Sequence, residues 1–310
     1  MHVCILTEND EWDKAYAQAL TDAGAKVSRL RLQDALVDFR VVPEADAYLN
    51  RYSPSARWRQ HAAADACAVA CLQHLELSGA RVISGTSALA LEQSKVAQHA
   101  ACVQAGFRCP YIAACPRHML EQAVRQWTPE GTELIVKPDC GGSGRDVTRA
   151  VAGTQHDAES APDALHVVQE FVESADGTLT RMEFVKGQLL YALKVRIDPG
   201  SYDNCPSDAC VGSNCPLQRD RTKFTVDAEF PATREDHAAI SNAQTLAVMR
   251  GLDILAVEMI KDTKGRWWVV DCNCVNTNYN SAAEQAAGIS GVGAVVDLVV
   301  HGRGPLETGE

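Results

Sequence analysis

The order of strand-like and helix-like segments restricts the fold more than any other feature of this chain. Before Pro110, short apolar runs alternate with longer segments whose apolar residues recur at helical spacing. We predict strands at HVCILT, KVSRLRL, AYLNRY and RVIS. Helices are expected at DEWDKAYAQALTDAG, which Gly24 closes, at ARWRQHAAADACAVACLQHLELSG, and over residues 88–106. This alternation is typical of α/β layers built on a parallel sheet.

After Pro110, several strand-like runs follow one another with only turns between them. A helix is expected over residues 117–126, and antiparallel strands are then predicted at ELIVKP, LHVVQEFV, LTRMEFV and QLLYALKVRI. The chain continues with a helix over residues 234–251, strands at DILAVEMI and RWWVVDCN, and small-residue helices up to His301. The predicted fold class is therefore α/β, with an α+β second part.

Composition excludes several classes of partner. The chain has 310 residues, of which 46% are hydrophobic, and carries a formal net charge of −11. No Lys/Arg run dominates a segment, so we expect no nucleic-acid partner. The start, MHVCILTENDEWDK, has no basic leader or long apolar stretch, and we expect a cytoplasmic protein with no membrane partner. The 12 cysteines are scattered through apolar patterns, and most are expected to be reduced and buried.

The segment ELIVKPDCGGSGRDV places Lys137 at the end of an apolar strand and then a glycine-rich loop, Gly141, Gly142, Ser143 and Gly144. Glycines let backbone amides approach phosphate oxygens, because no Cβ interferes. The segment is neither a Walker loop nor a Gly-x-Gly-x-x-Gly fingerprint. A flexible hairpin turn is the alternative interpretation. Downstream, the apolar strand that includes Gln169, Glu170, Phe171 and Val172 offers backbone groups to an adenine edge.

Three oxygen-bearing side chains lie in the last two predicted strands. Glu258 is in DILAVEMI, and Asp271 and Asn273 are in RWWVVDCN, across a turn at Lys264 and Gly265. Two adjacent strands would bring these side chains together, and carboxylate and amide oxygens suit Mg²⁺. The alternative is that Glu258 and Asp271 pair with nearby lysines or face solvent.

Together these motifs resemble the ATP-grasp superfamily, and in particular its RimK-like carboxylate–amine ligases. The resemblance extends to about residue 289 and rests on these motifs: Glu92-x-Ser94-Lys95, Val136-Lys137-Pro138, the glycine-rich loop, Gln169 to Val172, and Glu258 with Asp271 and Asn273. It implies an ATP-grasp fold in which two lobes sandwich ATP. The implied parts are a pre-ATP-grasp domain over residues 1–92, a central lobe over 93–172, and a C-terminal lobe over 173–310.

The resemblance also implies roles for individual residues. Lys95 and Lys137 would hold the nucleotide, Glu170 to Val172 would line the adenine beside Gln169, and the glycine-rich loop would cover the β- and γ-phosphates. The reaction centre would contain Arg181, Lys194 and Arg196. Two Mg²⁺ ions are expected, with Mn²⁺ as a substitute ion. This chain departs from the pattern in two ways: its metal carboxylates occur as Glu then Asp, and Leu179 replaces the ribose-binding acid. Glu173 and Asp176 are candidate replacements for that acid.

Substrate contacts are expected in two regions. Arg51 lies at the end of a predicted strand, and Ser53, Arg57 and Arg59 follow it; guanidinium groups suit carboxylate substrates. The alternative for this region is a solvated helix start with Ser53 or Ser55 as its cap. The long loop over residues 197–222 contains Asn204, a candidate substrate contact, and three evenly spaced cysteines, Cys205, Cys210 and Cys215. We weigh a zinc site against a substrate lid, and favour the lid because the spacing is unlike that of common zinc sites.

The function that these expectations favour is ATP-dependent joining of a carboxylate to an amine through an acyl phosphate. The substrates would be small molecules or peptides, such as an amino acid or a peptide tail. A kinase that phosphorylates a hydroxyl and a nucleotide-binding module without turnover are the alternatives. Relatives commonly self-associate, so a homo-oligomer is expected.

Overall fold

The computed structural model describes residues 1–40, 44–142, 144–157, 164–198, 223–275, 279 and 282–305. The first sheet is parallel and has the strand order β2-β1-β3-β4. Its strands and the two longer helices near them are β1 (His2–Thr7), α1 (Asp10–Asp22), β2 (Lys26–Arg31), β3 (Ala47–Asn50), α2 (Ala63–Leu77) and β4 (Val82–Ile83). The predicted parallel α/β layer is therefore confirmed.

Two predicted helices are each divided in the structure. The segment expected to be one helix from Ala56 begins as a 3-10 helix at Pro54–Arg59, and α2 follows after Gln60, whose φ of 66° stops the first turn. Residues 88–106 contain the end of α3 (Thr86–Glu92) and all of α4 (Lys95–Gln104). Ser94 separates them, because its extended backbone and side-chain oxygen cap α4.

The second sheet is antiparallel, with the order β5-β8-β6-β7. Its elements are β5 (Ile112–Pro116), α5 (Leu120–Gln126), β6 (Glu133–Pro138), β7 (Thr148–Val151) and β8 (Leu165–Glu170). β6 and β8 occupy predicted positions. β5 and β7 were not predicted, because IAACP and TRAV are short and largely unburied, and show little of the apolar pattern that marks a strand.

The third sheet is also antiparallel, with the order β11-β10-β9-β12-β13. The remaining elements are β9 (Thr178–Val185), β10 (Gln188–Arg196), β11 (Phe224–Val226), α6 (Arg234–Arg250), β12 (Ile254–Lys261), β13 (Trp267–Asn273), α7 (Ala282–Ala287) and α8 (Gly291–His301). Four of these strands were predicted, and three-residue β11 was not.

Shared cores hold the first and third sheets together, whereas the second sheet has a small core of its own. One cluster joins Leu6 and Tyr48 to Phe184 and Val257, while Leu120, Val124 and Val136 belong to a separate cluster. The nine cysteines in the described ranges are all free, and six of them are buried, as expected. Among the described helices, none is both long and apolar enough to cross a membrane.

Candidate nucleotide and metal site

Three neighbouring strands of the third sheet carry the acidic and basic side chains of the site. In the register of β9, β12 and β13, Arg181 lies opposite Glu258, and Glu258 lies opposite Asp271. Asn273 is two residues along β13 from Asp271, so both side chains leave the same face of the strand. The strands that we expected to be adjacent are adjacent, and their pairing brings the three predicted metal ligands together.

Arg181 is the centre of this group. It is 2% exposed; its Nη1 donates to Glu258 Oε1 at 2.6 Å and to Asn273 Oδ1 at 2.9 Å. Its Nε donates to Glu183 Oε1 at 2.6 Å. Burial raises the pKa of Glu183 to about 7, although Arg181 opposes that shift. Glu183 was not predicted as a site residue. The sequence signal that could have identified it is its charge, two positions from Arg181 in an apolar strand.

Lys95 and Asp271 form an ion pair on the other side of the group. Lys95 Nζ lies 2.8 Å from Asp271 Oδ1 and 2.9 Å from Oδ2. Burial acts to raise the pKa of Asp271, but attraction to Lys95 and then to Lys137 outweighs burial, and the pKa is lowered. Asp271 is therefore an ionised carboxylate whose oxygens could bind a metal ion.

Lys137, at the end of β6, reaches from the second sheet to the third. Its Nζ donates to the backbone oxygen of Val270 at 3.1 Å. Burial, followed by repulsion from Lys95, lowers the pKa of Lys137 to about 8. An anion beside this lysine would favour its charged form, which suits it to phosphate.

A cavity that opens to solvent lies between the second sheet, α4 and β13. The predicted residues in its wall are Lys95, Lys137, Gln169 and Asp271. The residues that sequence reasoning missed include Gln98, His99, Cys102, Cys109, Ile112 and Val269. The first three of these follow Lys95 by three, four and seven residues, so they share its face of α4, and helical spacing is the signal that would have found them. Gln98 also ties α4 to β13, because its Nε2 donates to the backbone oxygen of Cys272 at 2.9 Å.

The glycine-rich loop starts beside the first turn of α4. Asp139 accepts hydrogen bonds from Ser94 Oγ and from the backbone N–H of Val96, and its own backbone oxygen accepts from Lys95 N–H at 3.1 Å. A Cβ at Gly142 would lie 3.7 Å from that of Ser55, whereas a Cβ at Gly141 meets only Pro138. Gly144 has a φ of 65°, in the left-handed region that favours glycine. Ser143 lies outside the described residues.

The predicted adenine strand contributes less to the cavity than expected. Gln169 lines it, but Glu170, Phe171 and Val172 are not among its lining residues. The backbone N–H groups of Glu170 and Phe171 donate to the oxygens of Tyr111 and Glu133. The Arg149 guanidinium lies 3.9 Å from the centre of the Phe171 ring, and Val172 packs against the core.

Two predicted catalytic residues point away from Arg181. Leu193 is the β10 register partner of Arg181, so Lys194 and Arg196, one and three residues further on, leave the opposite face of the sheet. Both are exposed, and Arg196 Nε donates to Asp198 Oδ1 at 3.0 Å. The structure therefore does not group them with Arg181.

Asp176, the candidate ribose contact, shapes a turn before β9. It accepts from the backbone N–H and the hydroxyl of Thr178, at 3.0 and 2.7 Å. Glu173 lies in the loop between β8 and β9. Neither acid lines the cavity that the structure describes.

The predicted substrate arginines are engaged with other parts of the chain. Arg51 is buried, donates to the backbone oxygen of Val275 at 2.8 Å, and stacks on Tyr16. Arg57 pairs with Asp65, and Arg59 with Glu8.

Ser53 caps the 3-10 helix by accepting from Ser55 N–H, but both serines are buried, so this helix start is not the solvated one of the alternative. Asn204, Cys205, Cys210 and Cys215 lie outside the described residues.

Glu92, at the end of α3, is a further buried acid that fixes the end of β13. Its Oε2 accepts from the backbone N–H groups of Cys274 and Val275, at 2.5 and 3.2 Å. Burial raises its pKa to about 7. Sequence reasoning placed Glu92 in a motif but gave it no role.

The oxygen ligands of the site suit a hard metal cation that also binds oxygens of a second molecule. Glu258, Asp271 and Asn273 offer only oxygen atoms, the kind of ligand that Mg²⁺ prefers. Within the described ranges no three His, Cys, Asp or Glu side chains converge on a metal position. A cation held here would therefore need further oxygens, which nucleotide phosphates supply.

Comparison with protein-family models gives no match, and comparison with curated protein sequences gives none either. Solved structures do match. D-cycloserine synthetase DcsG superposes with a TM-score of 0.68 at 17% identity, covering 95% of this chain and 97% of DcsG. The ATP-grasp ligase PsnB, complexed with a phosphomimetic variant of its minimal precursor, Mg and ADP, gives 0.65 at 16% identity, covering 96% and 97%.

A third match is the RimK domain protein ATP-grasp from Sphaerobacter thermophilus, with a TM-score of 0.64 at 16% identity, covering 96% of this chain and 99% of that protein. These matches span nearly the whole chain, including the parallel first sheet and both antiparallel sheets. The chain therefore has the ATP-grasp fold that its motifs predict.

Proposed function

We propose that this protein is an ATP-dependent carboxylate–amine ligase that forms an amide bond and releases ADP and phosphate. The observation that carries the proposal is the position of Lys95, Lys137 and Asp271 in the wall of one cavity, with Glu258 and Asn273 beside Asp271. Two lysines suit a polyphosphate, and the oxygen donors suit its metal ion. The ATP-grasp fold supports the same chemistry.

Each charged residue has a role in this proposal. Lys95 and Lys137 bind phosphate oxygens, and Glu258, Asp271 and Asn273 hold two Mg²⁺ ions, or Mn²⁺ in their place. Ions held there would neutralise phosphate charge and orient the phosphoryl group. In the structure Lys95 pairs with Asp271 and Arg181 pairs with Glu258. Both basic side chains would therefore lie close to a phosphate bound beside these carboxylates.

Arg181 stabilises the charge that develops during transfer, and Glu183 and Glu258 hold its guanidinium in place. In the first step a carboxylate oxygen of the substrate attacks the γ-phosphorus, and the bond to ADP breaks. In the second step the amine nitrogen attacks the acyl carbon, phosphate leaves, and the nitrogen loses a proton. No side-chain nucleophile takes part, so the buried thiols near the site are not required.

The substrates are proposed to be amino acids or short peptides. DcsG is a D-cycloserine synthetase, and PsnB was solved with a minimal precursor. These neighbours support a small or peptidic substrate. A cytoplasmic homo-oligomer is part of the same proposal.

We also propose the division into residues 1–92, 93–172 and 173–310. Each range holds one of the three sheets, since the strands run from His2 to Ile83, from Ile112 to Glu170, and from Thr178 to Asn273. The cavity then lies where the second and third ranges meet.

The test is a matrix of amino acids and short peptides, each offered as carboxylate and as amine with Mg·ATP. ADP release is followed, and products are identified by mass spectrometry. The proposal expects ADP release that depends on both substrates and a product one water lighter than their sum. A phosphorylated hydroxyl would indicate a kinase instead, and tight ATP binding without turnover in any pair would indicate a nucleotide-binding module.

A further inference from the structure

Four cysteines form a connected group at the wall of the nucleotide cavity. Cys102 is on α4, Cys109 lies between α4 and β5, and Cys272 and Cys274 are at the end of β13. Cys102, Cys272 and Cys274 belong to one buried core cluster, and Cys109 packs against it. The thiols of Cys102 and Cys109, of Cys102 and Cys272, and of Cys272 and Cys274 are hydrogen-bond partners. Cys102, Cys109 and Cys272 also line the cavity itself. The amide-forming reaction uses none of them.

The four thiols differ in how accessible they are. Cys102 and Cys272 are each 1% exposed and Cys274 is fully buried, whereas Cys109 is only partly buried. A small reagent entering the cavity therefore reaches Cys109 first. Within the described part of the chain, no three His, Cys, Asp or Glu side chains converge on a metal position. The chemistry that we consider for these cysteines is therefore disulfide formation between two neighbouring thiols.

We propose that Cys109 and Cys102 form an oxidisable dithiol in the wall of the nucleotide cavity, which hydrogen peroxide converts to a disulfide. Peroxide oxidises the Cys109 thiol to a sulfenic acid and releases one water. The Cys102 sulfur then attacks the Cys109 sulfur, the S–O bond breaks, and a second water leaves. Two thiols and one peroxide thus give one disulfide and two waters.

The consequence for nucleotide binding rests on the proposed function. Cys102 shares a face of α4 with Lys95, and the backbone oxygen of Arg108, next to Cys109, accepts from Val269 N–H at 2.9 Å. A disulfide would therefore link α4 to the segment that follows it, and this segment is hydrogen-bonded to β13. Since cores and cavity walls tolerate little displacement, we expect oxidation to weaken ATP binding by about tenfold or more.

The experiment is peptide mapping of the full chain under non-reducing conditions, before and after peroxide, with ATP affinity measured on the same samples. We expect a Cys102–Cys109 cross-linked peptide, lighter by two hydrogens, which dithiothreitol removes while restoring affinity. Cys109→Ser should give no cross-link, and its ATP affinity should not change on peroxide treatment. Cys67→Ser is the matched control, because Cys67 and Cys71 are another close thiol pair, 3.9 Å apart on α2, and it should respond like the wild type.

The inference is overturned if peroxide-treated protein binds ATP yet lacks the Cys102–Cys109 peptide, or carries the cross-link with unchanged ATP affinity. Alkylation of the folded wild type, followed over time, does not depend on any variant folding. Cys109 should be labelled before Cys102, and the reverse order would contradict the proposal. If the reduced protein binds no ATP, the proposed function fails, while mapping still decides whether the dithiol forms.

Discussion

Asp271 joins the lysines of the cavity to the acidic face of the third sheet, so its charge affects both. Asp271→Asn keeps the size of the side chain but removes the charge that a metal ion requires. We expect turnover to fall by about a thousandfold or more. Circular dichroism should show an unchanged fold, and Asp297→Asn, on an exposed position of α8, should behave like the wild type. Turnover close to normal in Asp271→Asn would rule out this residue as a metal ligand.

The lowered pKa of Lys137 predicts that ATP binding is accompanied by proton uptake. Because its pKa is lowered to about 8, roughly half of the side chain is neutral at pH 8 in the nucleotide-free protein. Phosphate oxygens favour the charged form, so ATP binding should take up protons at that pH and weaken as pH rises further. Calorimetry in two buffers of different ionisation enthalpy measures this uptake. Lys137→Met should lose it, Lys264→Met on the exposed hairpin should keep it, and buffer-independent heats in the wild type would contradict the assignment.

At the scale of elements, β13 and the residues after it are held from both sides of the break between α3 and α4. Glu92 accepts the N–H groups that follow Asn273, and Gln98 bonds to the backbone of Cys272. Burial raises the pKa of Glu92 from its ordinary value of 4.5 to about 7. The folded state therefore retains this proton at a pH where the unfolded state has lost it. Stability from this group is complete below the unfolded pKa and falls as pH rises toward 7.

Glu92→Gln keeps an accepting oxygen but cannot ionise, so its stability should lack this fall. Relative to the wild type, the variant should gain up to about 3 kcal/mol between pH 4.5 and 7. Urea denaturation across that range measures the difference. Glu235→Gln, on an exposed position of α6, is the control and should follow the wild-type profile. If the Glu92→Gln profile runs parallel to that of the wild type, the buried acid does not titrate as described.

Some elements could be predicted from the sequence and others could not, for physical reasons. Strands with strong apolar patterns, such as β6 and β9, were predicted, because burial on both faces leaves a clear signal. Apolar spacing continues across Ser94 and predicts one helix over residues 88–106, whereas the family motif Glu92-x-Ser94-Lys95 implies that a helix begins there. The family resemblance grouped Lys194 and Arg196 with Arg181. The sequence could not correct this, because strand register, which decides the face of the sheet, cannot be read from one strand alone.

For the whole molecule, the first sheet depends on the last helix of the described chain. α1 packs on α8, and Arg81 donates to the backbone oxygens of Leu298 and Val299, both at 2.7 Å. These carbonyls lie in the final turn of α8, where a cation also favours the helix dipole. Arg81→Ala should lower the free energy of unfolding by about 1–2 kcal/mol. Arg303→Ala, an exposed arginine nearby, should change it little, and equal effects of the two variants would contradict this account of the contact.

At the scale of the whole molecule, the central proposal is that a carboxylate is activated by phosphorylation before an amine attacks it. With a substrate pair in hand, the most direct measurement uses a carboxylate labelled with oxygen-18 and mass spectrometry of the released phosphate. Because the acyl phosphate breaks between carbon and oxygen, each phosphate should carry one oxygen from the carboxylate. Phosphate without the label, despite amide formation, would show that its oxygen came from elsewhere and would contradict the account.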